Sequence, residues 1–306
     1  MAKKGQGSIA KIRKDISKIA LVTDSASDIT AEIAGEFNIS IIPIYIHYDN
    51  REFRDGIDIE PDEIYRLQME EKAVFSTSAP SPHDFVSVYE KLLKENDRII
   101  SVHISGNLSA VMKSALIARD LLQAEKAIEV FDSRSGTMGT GFMVLAAAKA
   151  ISRGHGMAKI MGILEYLRDN IKLYGTLDTL KYLRRSGRVP AIASFASRLL
   201  TIKPVLGISN GEVGMMGIAV TRFGSLKEIV RRVLRDFRGE RWVMISVIHT
   251  LGQDDSRKIL STLQKSLNIV YSIINKCTPA VGAHTGPGLI GIIITRLNRE
   301  IADLFI

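Results

Sequence analysis

Residues 19–28 read I-A-L-V-T-D-S-A-S-D. Ile19 to Thr23 form an apolar run of strand length. It ends in Asp24, Ser25, Ser27 and Asp28, whose short side chains accept hydrogen bonds from the free amides of a helical first turn. A strand leading through capping residues into a helix opens a strand–helix–strand unit, and a helix through Phe37 is expected. The order then recurs. A strand is expected in I-S-I-I-P-I-Y-I-H-Y (39–48), and D-N-R-E-F-R-D-G (49–56) reads as a hairpin or excursion. Pro61 suits the first turn of a helix. A short strand ends in F-S-T-S-A-P-S-P (75–82), where Ser81 can cap the next helix. I-I-S-V-H-I (99–104) leads through S-G-N to a helix from about Leu108. A strand from Ile128 to Phe131 leads through D-S-R-S-G to a long helix ending near Arg153. This alternation predicts a mostly parallel sheet covered on both faces, a three-layer α/β domain.

The second half has another grammar. A helix around Ile160 to Arg168 precedes the strand K-L-Y-G-T-L (172–177), and another helix is expected through Leu200. Asn210-Gly211 is a hairpin signal between two apolar segments. A helix, the strand W-V-M-I-S-V-I-H (242–249), a helix and a final pair of strands follow. This suggests an α+β domain. The expected division is a basic extension at 1–17, an α/β domain at 18–160 and an α+β domain at 161–306.

The 306 residues suit about two domains. Hydrophobic residues make up 46%, enough for a sizeable core. The net charge of +8 is partly local to the Lys- and Arg-rich first eighteen residues. A solvated extension is preferred over a nucleic-acid or anionic-membrane contact, since no zinc-finger or RNP1-type sequence accompanies it. Cys277 is the only cysteine, so an intrachain disulfide is excluded and a reducing cytoplasm fits. No signal peptide is recognised, and G-F-M-V-L-A-A-A-K-A-I (141–151) is too short to span a bilayer. The expectation is a soluble, cytoplasmic monomer without integral membrane association or a nucleic-acid partner.

Two strand ends are rich in hydroxyls: Ser76, Thr77, Ser78 and Ser81 in one, Ser105, Asn107 and Ser109 in the other. Both lead into helix N-termini, whose free amides attract anions. Ordinary capping explains any single serine. A P-loop is lacking, and Gly139-Thr140-Gly141 begins a dinucleotide fingerprint that Val144 breaks. There is no G-x-S-x-G elbow, although a Ser-His-Asp triad from distant parts stays open. The six histidines are scattered, with no H-E-x-x-H pair, so no metal is expected. Arg184, Arg185 and Arg188 surround Ser186-Gly187 and suit either an anion or a solvated helix end. In V-G-A-H-T-G-P-G (281–288), glycines that let the backbone come close to a ligand flank His284.

The chain also carries V-T-D-S-A-S-D-I (22–29), T-S-A-P-S (77–81), I-S-G-N-L-S (104–109), F-D-S-R-S-G-T-M-G-T-G (131–141), L-R-R-S-G-R-V (183–189), I-K-P-V-L-G-I-S-N-G-E-V (202–213) and A-H-T-G-P-G-L-I-G (283–291). In this order and spacing, from about Ile19 to Thr295, it resembles the DegV family, which includes the FakB-like fatty acid-binding subunits of bacterial fatty acid kinase. The resemblance implies a long-chain fatty acid of the palmitate or oleate class buried between two domains, with no other cofactor. It implies a non-enzymatic carrier in lipid metabolism that presents the carboxylate to a partner kinase. Thr77 matches a carboxylate-binding threonine, and His284 a histidine near the carboxylate. Ser105-Gly106 stands where the family has a serine pair, so Ser105 or the Gly106 amide is expected to replace the second hydroxyl. Ala79 replaces a usual glutamine, and Ala110 a usual glycine. Arg188 and Arg222 match basic residues at the mouth or partner-facing surface, with Ser78 and Thr285 as secondary residues. A-S-F-A-S-R-L-L (193–200) and G-M-M-G-I-A-V (214–220) are expected to line the tunnel or to pack as core. The alternative is a phosphotransfer or acyl-transfer enzyme on a related scaffold, using His284 as base or nucleophile.

Overall fold

The computed structural model describes residues 18–189 and 202–306. The basic extension, the segment 193–200 and the far end of the helix expected through Leu200 lie outside the described residues. β1 (Ile19–Asp24) runs into a 3-10 turn at Ser25–Ser27, and the Asp24 carboxylate accepts from the Ala26 amide at 3.1 Å. Then come α1 (Ala31–Glu36), β2 (Ile39–Ile42), β3 (Tyr45–Tyr48) and β4 (Arg51–Arg54). α2 (Pro61–Glu70), β5 (Ser76–Ser78) and α3 (Pro82–Leu93) follow. The first half closes with β6 (Arg98–His103), α4 (Val111–Leu121), β7 (Ile128–Asp132) and α5 (Met138–Ser152). Ser81 caps α3 as expected: its hydroxyl accepts from Asp84 N, and the Asp84 carboxylate accepts from Ser81 N.

Strands β2-β1-β6-β7 form an all-parallel sheet, as the alternation predicts. The run 39–48 differs from its expectation. Pro43 interrupts it, since proline offers no amide to a ladder. Ile39–Ile42 stays in the parallel sheet, whereas Tyr45–Tyr48 joins a small antiparallel sheet of order β4-β3-β5. The strand carrying Thr77 therefore belongs to this small sheet and not to the parallel one.

The second half comprises α6 (Met157–Asn170), β8 (Lys172–Thr176), α7 (Lys181–Ser186), β9 (Lys203–Ser209) and β10 (Glu212–Ala219). α8 (Arg222–Phe237), β11 (Val243–His249), α9 (Gln253–Gln264) and β12 (Ile269–Lys276) come next, then α10 (Pro279–Thr285), β13 (Ile290–Arg296) and α11 (Arg299–Ala302). Six strands form a mixed sheet of order β10-β9-β8-β13-β11-β12. Asn210 and Gly211 both take positive φ, 51° and 82°, as a two-residue hairpin of this hand requires. The final two strands are not partners: β11 lies between them, and α10 carries the chain across.

Alternation along the strands divides the core. Ala20, Val22 and Ile99 face α3 and α4, while Leu21, Ile100 and Val102 face α5. α8 and α9 cover the outer face of the mixed sheet. α5 lies between the sheets, with Met138 to Ala148 buried without interruption. A helix apolar on every side belongs in such an interlayer. One buried cluster continues from Leu21 and Ile100 through Phe142 and Val144 to Met244 and Ile293. The architecture is an α/β layer joined to an α+β layer, as the sequence implies.

Candidate functional site

α10 crosses from the mixed sheet onto the first half. Asp28 accepts from Thr278 N at 3.0 Å and Asp55 from Ala280 N at 3.1 Å, so two buried carboxylates hold the first amides of this helix. Tyr65 donates to the Cys277 carbonyl and Gln68 to the Gly282 carbonyl. His284 and Thr285 close the helix, so A-H-T-G-P-G is not wholly a loop.

Gly286 and Gly288 have φ of 71° and 91°. A Cβ at Gly286 would collide with the Tyr182 ring, and one at Gly288 with the Asp178 carboxylate. These glycines bring the backbone against the protein itself and not, as the sequence suggests, against a ligand. Gly286→Ala is expected to destabilise the fold by about 1–3 kcal/mol through backbone strain and that collision. Denaturant unfolding reads this, and an unchanged midpoint would contradict it.

Burial raises Asp28 to about 7 and Asp55 to about 6. Between pH 4 and those values the unfolded chain loses protons that the folded carboxyls keep, so stability falls as pH rises across that window. His284 works oppositely. Burial first, and then the Arg188 charge, lower it from 6.5 to about 4, so its contribution is lost as pH falls through that interval. Asp28→Asn is expected to flatten the decline of thermal stability between pH 5 and 8. Parallel curves for the two proteins would exclude Asp28 as its source.

Between α10 and the mixed sheet lies a cavity of about 160 Å³. Among the described residues, 23 line its wall, and six of these have polar side chains: Thr77, Ser109, Thr137, Arg188, His284 and Thr285. Among the described residues the wall holds no carboxylate. Gly175 and Gly291 are register partners on β8 and β13, and both belong to the wall. The sheet is bare of side chains there, between Leu173, Leu206 and Ile248.

Thr77 Oγ1 lies 2.7 Å from His284 Nε2, joining β5 to α10. At neutral pH the lowered basicity keeps the imidazole uncharged. The pair then holds two polar hydrogens, one on the ring and one on the hydroxyl. One is spent between them, and in either tautomer the other can donate elsewhere. His284 Nδ1 is buried without a partner among the described residues. Arg188, an exposed residue, also reaches the wall, and its guanidinium donates to the Ser186 carbonyl at 2.7 Å.

The other expected residues lie elsewhere. Ser105 is buried and donates to the Gly211 carbonyl at 2.8 Å, fastening the end of β6 to the β9–β10 hairpin. It is not a wall residue, and neither is Gly106, where a Cβ would meet Asp132 Oδ2 at 3.5 Å and Met112 Sδ at 3.9 Å. Ser78 pairs with His47 at 2.8 Å outside the wall. Thr285 is a wall residue whose hydroxyl donates to the Val281 carbonyl. Arg222 donates to the Gly288 carbonyl at 2.6 Å and lies 3.5 Å from Asp178, bracing the turn after His284. The segment 214–220 supplies no wall residue, because it runs along the edge strand with Met216, Ile218 and Val220 exposed.

Thr137 is a polar wall residue that sequence reasoning missed. It immediately precedes α5 with φ 53° and ψ −145°, yet its hydroxyl does not cap the helix and has no partner among the described residues. A β-branched residue rarely enters this region, and holding it there costs about 1–3 kcal/mol. The local signal was only a threonine before a helix.

A Ser-His-Asp arrangement does form, in another place. His103 Nδ1 lies 3.0 Å from Asp24 and Nε2 lies 2.6 Å from Ser101, which accepts from Tyr89. All four side chains are fully buried and none is a wall residue, so this chain of hydrogen bonds belongs to the core. Among the described residues no group of three or more His, Cys, Asp or Glu is placed to hold a metal, and no helix is long and apolar enough to cross a membrane.

A family model described as "Uncharacterised protein, DegV family" matches residues 18–297. A DegV domain-containing protein of Clostridium acetobutylicum is 35% identical over 287 residues, covering 91% of this chain and 99% of its own. A solved structure described as fatty acid binding of a DegV family protein from Thermus thermophilus is 30% identical with a TM-score of 0.86, covering 92% of this chain and all of that one. DegV from Bacillus subtilis, described as a fatty acid binding protein, is 27% identical with a TM-score of 0.82 over 92% of this chain and 100% of its own.

Proposed function

Since the chain belongs to the DegV family, we propose that it binds a long-chain fatty acid, with the carboxylate at Thr77 and His284 and the tail in the cavity beyond them. The observation that carries this reading is a donor pair set in a largely apolar wall that holds no acidic side chain among the described residues. An alkyl chain needs such walls, and a carboxylate leaving water needs donors and no neighbouring anion. The relatives described as binding fatty acids support the same ligand class.

The chain acts as a non-enzymatic carrier. Arg188 stands exposed at the mouth and complements an anionic head group. A head group at the mouth suits presentation to a partner of the fatty acid kinase class, with Ser78 and Arg222 on the surrounding surface. The ligand lies between units 18–160 and 161–306, the first supplying Thr77 and the second His284. Ser105 acts indirectly, by fixing the end of β6 against the hairpin. Native mass spectrometry of the purified full chain tests the ligand class. Co-purified C16 or C18 acids, or uptake of added palmitate or oleate, support it. A chain that carries none and takes up neither would overturn it.

A further inference from the structure

β12 is the last strand of the mixed sheet, and among the described residues its one partner strand is β11. Its other edge faces α1 across a groove whose wall includes Glu32, Glu36, Tyr271, Ile273, Ile274 and Asn275. Side chains alternate along a strand, so three consecutive residues in one wall mean that the backbone edge itself faces the groove. β12 has no proline and no charge before Lys276, so it lacks two devices that keep such edges from pairing. The α1 side is acidic. Glu32 and Glu36 are exposed one turn apart, and no ion pair among the described residues uses either. Like charges at that spacing disfavour a helix, and α1 buries none of its six residues. Lys276, the one cation in the groove among the described residues, is already held by Asp62 at 2.8 Å.

An extended, cationic occupant fits this groove, and the chain has one close by. Residues 1–17 hold five Lys or Arg and one Asp. They join β1 at Lys18, whose amide donates to Asp97 at 2.8 Å. Leu21 is the register partner of Ile39, so Ile19 lies about 8 Å from Ile39 by sheet spacings. Ile19 and Phe37, the residue after α1, pack on the same buried cluster. The family match begins at residue 18, so the segment lies outside the shared fold. We propose that residues 9–14, I-A-K-I-R-K, lie extended in this groove and pair with the open edge of β12, with Arg13 at Glu36 and Lys11 at Glu32. Lys11 and Arg13 stand about 7 Å apart on one face of an extended chain, and Glu32 and Glu36 about 6 Å apart along a helix. At one end of the groove Lys149 lies over the rings of Phe37 and Phe305, and Phe305 packs on Tyr271. At the other end the Asn275 amide donates to the Asp28 carbonyl. α1 and β12 thus run in opposite senses, and a segment entering at the Glu36 end pairs antiparallel with β12. The four steps from Lys18 to residue 14 reach about 13 Å, enough to arrive there. Docked so, the segment covers an edge that otherwise invites another chain.

Hydrogen exchange on the full chain, read by mass spectrometry, tests this. The amides of residues 9–14 are expected to exchange at least about 10-fold more slowly than an unstructured chain of that sequence. Glu32→Gln with Glu36→Gln should cut this protection by about 2- to 10-fold, the worth of two exposed ion pairs. Exchanging the charges, Glu32→Lys and Glu36→Lys together with Lys11→Glu and Arg13→Glu, should restore it. Should the changes on α1 disturb folding, a photo-crosslinker in place of Ile12 in the otherwise native chain is expected to join α1 or β12 of the same chain. Unprotected amides at 9–14, protection that the glutamine substitutions leave intact, or crosslinks to another region overturn the proposal. Protection that appears only as the chain dimerises, or only with vesicles of anionic phospholipid, also overturns it, since the segment then lies on a second copy or on a lipid surface.

Discussion

Thr77→Val is expected to weaken palmitate binding by roughly 10- to 100-fold while leaving the binding of methyl palmitate nearly unchanged. Valine keeps the shape of threonine and removes the hydroxyl. Thr77 Oγ1 and His284 Nε2 are 2.7 Å apart, so the loss also leaves the histidine without its partner. Hydrogen bonds to a charged group contribute about 1.5–3 kcal/mol, which converts to the stated range. The ester presents no charge and gains little from that donor. The split between acid and ester separates head-group recognition from a general loss of the cavity. Titration calorimetry with both ligands reads it. An equal loss for both would assign Thr77 a role in folding and not in recognition.

Gly175→Leu is expected to reduce binding of C16 and C18 acids by roughly 10- to 100-fold, with the fold retained. Gly175 and Gly291 face each other across β8 and β13 in the cavity floor. A Cβ at Gly175 would meet its nearest neighbours at 3.7–3.9 Å, ordinary contacts, so the backbone tolerates the first carbon. Those neighbours include Leu173 and Leu289, both wall residues, and the remaining leucine atoms enter the cavity. Inserting extra carbons into a filled apolar site costs about 1–3 kcal/mol, and here the cost falls on the complex. Gly291 would serve poorly as the probe, because its Cβ would press on Ile248 even without ligand. Unchanged acyl affinity in Gly175→Leu would remove the tail from this floor.

Much of the architecture was legible in local pattern. The capping turn after β1, the Ser81 cap and the Asn210-Gly211 hairpin all rest on rules that act within a few residues. The all-round apolar character of 141–151 marks a helix buried between layers. Register and sheet membership were not legible at Pro43, since the split between two sheets depends on what β3 meets across space. The site divides in the same way. Strand-end hydroxyls pointed to Thr77, and the family resemblance to His284. Ser105 is, like Thr77, a hydroxyl residue near the end of a strand. Its hydroxyl is taken by a hairpin tip more than a hundred residues away, which no local signal announces. The glycines after His284 look like a ligand cradle in sequence because glycine signals close approach without naming the partner, which here is Tyr182 or Asp178. Thr137 was hidden for a related reason. A threonine before a helix normally caps it, and only the backbone angles show that this one does not.

The most direct measurement is the crystal structure of the full chain with palmitate. The account expects one carboxylate oxygen within hydrogen-bond distance of Thr77 Oγ1 or His284, with the alkyl chain running over Gly175 and Gly291. An acyl chain held elsewhere, or a carboxylate placed away from both Thr77 and His284, would contradict it.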